Sequence, residues 1–196
     1  GAPATNLSVQ AASFTGPAGS NLELISGVIL STGWAASDPA NFTFGANGDV
    51  MDFASNSITG TYSDADLEDL SGQEIDDAAV LEFDFVPIGD SIKFRYVFGS
   101  EEYPSFTCSD YNDAFGFFIS GPGISGPFTG GARNIALVPG TTVPVSINTL
   151  NSGQPSIPGN EENCAALDPN WVSNSQYFVN NGAASNTVAT YNGFPT

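Results

Sequence analysis

The stretch from residue 76 to residue 123 alternates apolar and polar side chains, and this pattern constrains the fold more than any other feature. Its apolar members, at every second position, are Leu81, Phe83, Phe85, Ile92, Phe94, Tyr96, Phe98, Phe115, Phe117 and Ile119. A period of two residues, rich in aromatic side chains, is typical of half-buried β-strands. The short link 87–90, which contains Pro and Gly, favours a hairpin. The sequence therefore predicts an antiparallel sheet with strands at 81–86, 92–98 and 114–120.

The rest of the chain supports an all-β fold. Further strands are predicted at 6–14, 22–30, 134–138, 143–150, 176–179 and 187–191, with Gly27 marking a bulge or a close approach in the second of these. Within 63–77, Ser63 and Asp66 resemble a capping box, and Leu67 and Leu70 fit one helical turn. The prediction is one antiparallel, jelly-roll-like β-sandwich domain over residues 1–196, with long loops and at most one short helix.

The charge of the chain restricts its partners. There are 21 acidic side chains against 3 cations and no His, so the formal net charge is −18. Such a chain repels nucleic acids and anionic membranes, and we expect neither nucleic-acid binding nor direct membrane insertion. Low total charge with high acidity is typical of an extracellular protein that has divalent cations as counter-ions. The alternative is that the acidic residues only support solubility.

The two cysteines favour an oxidising compartment. Cys108 and Cys164 are not part of a CxxC motif, and the chain has no His to complete a zinc site or a Cys-His pair. A disulfide is the simplest interpretation for a secreted chain, with two free buried thiols as the alternative.

Six motifs occur in the order seen in one known family. They are SGVILSTG (26–33), a Leu-x-x-Leu acidic segment (67–70), DAAVLEFDF (77–85), FRYVFGSEEYPSF (94–106), NDAFGFFISGPG (112–123) and NIALVPGTTVPVSINTLN (134–151). Together they closely resemble the choice-of-anchor L domain, a module of large secreted proteins, chiefly from Bacteroidetes. The resemblance implies an extracellular, β-rich module, often exported by the type IX secretion system, with no established enzyme activity.

The same resemblance bears on the domain boundaries. The family domain usually begins earlier and continues with further strands beyond the part that is similar to residues 191–194. It therefore implies a piece of a longer polypeptide, or a subunit that is completed by a strand from a partner.

A calcium site is predicted from the acidic residues. Fourteen of the 21 acidic residues fall between positions 64 and 113, and crowding them at one end of a sandwich without a cation is repulsive. Carboxylate and amide oxygens suit Ca²⁺, which takes about six to eight oxygen ligands. The candidate ligands are Glu101, Glu102, Asp113, Asn112, Asp77, Asp76 and Asp66. The alternative is that these side chains cap turns and accept hydrogen bonds from loop amides.

Enzymatic activity is not expected. The chain has no His for a catalytic triad, no GxSxG motif and no phosphate-binding loop. Glu82 and Asp84 resemble part of a glucanase Glu-x-Asp strand, but the further Glu of that pattern is missing. These two acids are also placed to pair with Lys93 and Arg95 across the hairpin.

The sequence thus predicts a non-catalytic, calcium-stabilised structural or adhesive module of a secreted or cell-surface bacterial protein. Its partners would be other surface or matrix proteins, or copies of itself. A first alternative is a carbohydrate-binding, lectin-like module with loop aromatics that stack on sugars, for which the candidates are Trp34, Tyr103, Tyr111 and Trp171. A second is a subunit of an extracellular filament or surface assembly that is completed by strand addition.

Overall fold

The computed structural model describes residues 10–15, 24–33, 35, 62–100, 102–180 and 192–195. The predicted strand 187–191 and the candidates Trp34 and Glu101 lie outside these residues.

An antiparallel hairpin opens the described chain. β1 (Ala11–Thr15) pairs with β2 (Ser26–Leu30), and Phe14 lies opposite Gly27. A Cβ atom on residue 27 would lie 2.8 Å from Cε1 of Phe14, which is too close for an ordinary contact. The close approach predicted at Gly27 is therefore confirmed.

The aromatic alternation of residues 81–119 is retained in the packing, although the regular strands are shorter than predicted. The ring centroids of Phe94 and Phe117 lie 4.6 Å apart, and those of Tyr96 and Phe115 lie 4.8 Å apart. Regular strand geometry is limited to β3 (Val97–Ser100), which pairs with β6 (Asn192–Pro195), and β4 (Phe118–Ile119), which pairs with β5 (Arg133–Asn134).

The predicted strand 81–86 is not a regular strand in this structure. Residues 81–93 are all exposed to solvent. The ring centroids of Phe83 and Phe85 lie 6.3 Å from that of Phe94, but no residue of the segment is buried, and burial of one face is what stabilises a strand. The predicted strand 143–150 is extended only in its first half. Its second half turns back, because Oγ1 of Thr149 accepts a hydrogen bond from the Ser146 amide and Leu150 N donates to the Ser146 carbonyl.

The first helix confirms the helical turn predicted at Leu67 and Leu70, but its N-cap residue is Asp64 and not Ser63. α1 (Ala65–Ser71) begins after Asp64, whose Oδ1 accepts hydrogen bonds from the amides of Asp66 and Leu67 at 3.1 and 3.0 Å. The capping residue is thus one position after Ser63. Gly72 ends the helix in the left-handed region, with φ of 70°.

The prediction of at most one short helix is wrong. Residues 161–167 form a second helix, α2 (Glu161–Leu167), capped by the side chain of Asn160. A 3₁₀ helix (Trp171–Tyr177) takes up the first two residues of the strand predicted at 176–179. Asp168 accounts for this turn, because its carboxylate accepts bonds from the Asn170 amide and the Asn174 side chain, both at 2.8 Å. A shorter 3₁₀ turn covers Thr129–Gly131.

Two buried clusters hold these elements together. Val138, Val145 and Leu150 form the larger cluster, against which the rings of Tyr96 and Phe98 pack. Cys108, Cys164 and Trp171 form the second cluster. The described chain is therefore composed mostly of small antiparallel sheets with short helices between them, and a complete β-sandwich stays a prediction.

Candidate functional site

The loop 102–113 lies between β3 and the segment that leads into β4, and a disulfide fixes its centre. Cys108 and Cys164 form this bond, with their Cα atoms 5.1 Å apart and both residues fully buried. The bond joins the loop to α2, and Trp171 packs in the same buried cluster. The disulfide predicted from the sequence is present.

Asn148 is the second attachment of this loop. Its Oδ1 accepts a 2.7 Å hydrogen bond from the Cys108 amide, and its Nδ2 donates to the Ser109 carbonyl at 2.9 Å. Its own amide donates to Oδ1 of Asn112 at 3.0 Å. These bonds are buried, so one carboxamide satisfies two backbone groups that have no access to water.

Two further carboxamides join the loop to both helices. Nδ2 of Asn163, on α2, donates to the Cys108 carbonyl and to Oδ1 of Asp110, each at 3.1 Å. Gln73, just after α1, donates from Nε2 to the Asp110 carbonyl at 2.9 Å. Asp110 is thus held between the end of α1 and the face of α2.

These contacts enclose a polar cleft of about 170 Å³, which we call the carboxamide cleft. Its lining includes Ser71, Gln73, Asp110, Asn112, Asn163 and Leu167. A second cavity of about 50 Å³ shares Ser71, Asn112 and Leu167 with the cleft and is otherwise lined by residues such as Leu70, Ala114 and Pro144. A polar cleft therefore adjoins a small, mainly apolar recess.

Asp113 lies at the other end of the loop, beside β3. Its Oδ2 accepts a 2.7 Å hydrogen bond from Oγ of Ser100, and the same Oγ accepts the Glu102 amide at 3.0 Å. Although Asp113 is exposed as a whole residue, the surrounding protein desolvates its carboxyl and raises its pKa, while the bond from Ser100 lowers it. Tyr103 is buried nearby, and desolvation together with the charge of Asp113 raises the pKa of its phenol.

Six of the seven predicted calcium ligands lie among the described residues, and these six are not brought together. Asp66 accepts two 2.8 Å hydrogen bonds from Thr129, and Asn112 accepts from Asn148. Asp76 is exposed, and the backbone carbonyl of Asp77 accepts a bond from Gln10. Within the described ranges no group of three or more His, Cys, Asp or Glu side chains is arranged to hold a metal. The backbone amide of Glu102 and the carboxylate of Asp113 both bond to Oγ of Ser100, so these two residues of the predicted set are neighbours.

Two of the four predicted glycan contacts are buried. Tyr103 is 6% exposed and its hydroxyl donates to the Leu150 carbonyl, while Trp171 is 4% exposed beside the disulfide. Neither ring is available to stack on a sugar in this structure, because each is used to anchor its loop. Tyr111 is 65% exposed and contacts the ring of Phe106 edge-on.

The residues that sequence reasoning missed are the carboxamides of the second half of the chain, namely Asn148, Asn151, Asn163 and Asn174. The signal was present in the density of Asn within 148–174. A polar segment of that length can stay ordered only if its backbone groups find partners, and side-chain amides supply both donors and acceptors.

Comparison with known proteins places the chain in a family. A search of curated proteins and a search of solved structures gave no match. No helix among the described residues is long and apolar enough to cross a membrane. The model of one family, described as the Choice-of-anchor L domain, matches residues 2–196. The motifs from SGVILSTG to NIALVPGTTVPVSINTLN lie within this match, and the chain belongs to the Choice-of-anchor L domain family.

Proposed function

We propose that this chain is a non-catalytic structural or adhesive module of a secreted or cell-surface bacterial protein. Family membership supports a surface-associated role. The buried disulfide between Cys108 and Cys164 supports it as well, because such bonds persist in oxidising, extracellular compartments. Turnover of a polysaccharide or peptide substrate by the purified chain would contradict the non-catalytic part of this proposal.

The observation that carries the adhesive role is an exposed apolar strip, formed by residues 81–92. Phe83 is 55% exposed and Ile88 is 104% exposed, and Leu81, Phe85, Val86 and Ile92 are also exposed large apolar residues. Large exposed apolar patches rimmed by polar residues mark protein–protein interaction sites, and these six apolar side chains lie within twelve consecutive residues. We infer that the strip contacts another surface protein, a matrix protein or a second copy of this chain.

A binding experiment tests the strip. The variant Val86→Ser/Ile88→Ser removes two strongly exposed apolar side chains, and Ile157→Ser is the matched control because Ile157 is 104% exposed in a different loop. We expect sedimentation velocity and biolayer interferometry against immobilised chain and matrix proteins to show an affinity at least about tenfold weaker for the double variant. Equal binding by the double variant and the wild type would remove the strip from the proposal.

Calcium stabilisation is a further part of the proposal. It is supported by the concentration of acidic residues between positions 64 and 113, where the Asp113 carboxylate and the Glu102 backbone amide both bond to Oγ of Ser100. A cation that binds only the folded chain raises the melting temperature by mass action. We expect EDTA to lower the melting temperature and added Ca²⁺ to restore it, with Glu101→Gln or Asp113→Asn reducing the response. A melting temperature that is unchanged by EDTA would leave these acids as turn-capping residues.

An assembly subunit that is completed by strand addition is the second candidate. Each sheet among the described residues has two strands, and two-stranded sheets are only marginally stable alone. A strand from a neighbour would extend one of them into the predicted sandwich. Concentration-dependent filaments, seen by electron microscopy and abolished by a proline in β3, such as Val97→Pro, would favour this function over a monomeric adhesive module.

A further inference from the structure

The carboxamide cleft has hydrogen-bonding groups that the protein itself leaves unused. Asn163 donates from Nδ2 and Gln73 donates from Nε2, which leaves Oδ1 of Asn163 and Oε1 of Gln73 without a bond from the described residues. Asp110 accepts at Oδ1 from Asn163, so its Oδ2 is also available. Asn112 accepts at Oδ1 from Asn148, and its Nδ2 remains as a donor. Four residues around one cleft thus offer three acceptors and one donor group.

This set of groups selects the chemistry of a ligand. No Lys or Arg lines the cleft, so an anion would find no cation there and would be repelled by the net charge of −18. A bare divalent cation is disfavoured, because the lining holds a single carboxylate and Ca²⁺ takes about six to eight oxygens. Hydroxyl groups both donate and accept, and they match a mixture of amide oxygens, amide nitrogens and one carboxylate. The size of the cleft, about 170 Å³, fits one sugar ring.

The adjoining recess further restricts which sugar can bind. It measures about 50 Å³ and shares Ser71, Asn112 and Leu167 with the cleft. Leu70, Ala114 and Pro144 give it an apolar wall, and its volume suits a methyl-sized group. A sugar whose ring carries an acetamido substituent would place hydroxyls against the carboxamides and the acetyl methyl in the recess.

We propose that the carboxamide cleft binds a single neutral N-acetylated sugar ring. This site differs from the exposed apolar strip and from the buried aromatics Tyr103 and Trp171. It does not depend on the proposed adhesive role: loss of protein–protein binding in the strip variant would leave this site intact, and the reverse also holds. Affinity for one ring in an open cleft is weak, with a Kd of about 1 mM or above.

Titration of the ¹⁵N-labelled chain, followed by NMR, tests the site. The probes are N-acetylglucosamine and N-acetylgalactosamine, with glucose and galactose as analogues that lack the acetamido group. We expect saturable shifts of the side-chain amide signals of Gln73, Asn112 and Asn163 with the N-acetylated sugars, and binding at least about fivefold weaker for the analogues, because the methyl group loses its apolar contact. Equal affinity for both kinds of sugar would overturn the assignment of the recess.

Two cleft variants and one control variant test whether the sugar-induced shifts arise from binding in the cleft. Ala166→Trp fills the cleft without removing a hydrogen bond, because Ala166 is an exposed lining residue of α2, and it should abolish the shifts. Asn163→Ala removes one acceptor but also a structural bond to Cys108, so its fold is checked by the dispersion of its amide spectrum. Gln176→Ala is the control, since Gln176 is exposed and does not line the cleft.

Three outcomes would overturn the proposal. The first is the absence of saturable shifts with any of the four sugars. The second is that sugar-induced shifts persist in Ala166→Trp or centre on Tyr111. The third is that Ca²⁺ alone saturates the same amide signals and excludes the sugars, which would make the cleft a cation site.

Discussion

Cys108 and Asn148 lie 40 positions apart in the chain, yet the amide of Cys108 donates a 2.7 Å hydrogen bond to Oδ1 of Asn148. Nδ2 of the same carboxamide donates to the Ser109 carbonyl. The loop 102–113 is therefore held at two consecutive residues by one buried side chain and, at Cys108, by a covalent bond to α2. The loop 102–113 forms no β-ladder, so these side-chain and covalent bonds hold it in place instead.

Truncation of Asn148 is expected to destabilise the fold strongly. Asn148→Ala leaves the Cys108 amide and the Ser109 carbonyl buried without partners, and each such group costs about 1–3 kcal/mol. We expect the free energy of unfolding, measured by urea denaturation, to fall by about 3 kcal/mol. Asn170→Ala is the control, because Asn170 is exposed and its side chain caps nothing; it should change stability by less than about 0.5 kcal/mol. Equal effects of both variants would show that the buried carboxamide is not a stabilising attachment.

The disulfide closes a loop of 56 positions, and its removal is expected to destabilise the chain. In the chain-entropy model a loop of this length contributes about 4 kcal/mol. Cys108→Ser/Cys164→Ser should lower the urea midpoint accordingly. Dithiothreitol should lower the midpoint of the wild type and leave that of the double variant unchanged. An unchanged midpoint on reduction, with free thiols verified by mass spectrometry, would contradict this prediction.

Gly159 is expected to tolerate no side chain. A Cβ atom there would lie 2.2 Å from the backbone carbonyl oxygen of Thr107, and backbone cannot move aside as a flexible side chain can. Gly159→Ala should destabilise the chain by about 1–3 kcal/mol. Gly89→Ala is the matched control, because no atom lies within 4 Å of the added Cβ. Similar melting temperatures for the two variants would indicate that the segment around residue 159 moves freely away from the loop.

Local patterns in the sequence predicted those parts of the fold that local forces decide. The close approach at Gly27 and the helical turn at Leu67 and Leu70 follow from the spacing of a few neighbouring residues. The disulfide could be predicted because the chain has no CxxC motif and no His that would give the two cysteines another role.

The remainder depends on contacts between distant residues, which periodicity does not encode. Residues 176 and 177 of the strand predicted at 176–179 belong instead to a 3₁₀ helix, in which the Asn174 side chain donates to the Thr149 carbonyl, 25 positions away, and to Asp168. The carboxamide cleft requires Gln73, Asp110 and Asn163 to meet from three separate segments. In isolation each of these residues is an ordinary polar residue. The disulfide and Asn148 bring the segments of Asp110 and Asn163 together, and the bond from Gln73 to the Asp110 carbonyl adds the third segment.

The pH dependence of stability is expected to report on Asp113. Desolvation raises the pKa of this carboxyl above 3.8, the usual value for Asp, and the hydrogen bond from Ser100 opposes the shift. In the folded chain the carboxyl therefore holds its proton to a higher pH than in the unfolded chain. Its contribution to stability is full below about pH 3.8 and is lost as the pH rises through the folded-state pKa.

Asp113→Asn removes this ionisation and keeps an oxygen that can accept the bond from Ser100. In EDTA, which excludes any effect of calcium, we expect the variant to match the wild type at about pH 3 and to exceed its urea midpoint at about pH 7. Asp90→Asn is the control for the change in net charge, because Asp90 lies in an exposed turn. A midpoint for Asp113→Asn that follows the wild type and Asp90→Asn at both pH values would show that the ionisation of Asp113 is not coupled to folding. A variant less stable than the wild type at pH 7 would mean that the negative charge itself is needed, as it is for a cation ligand.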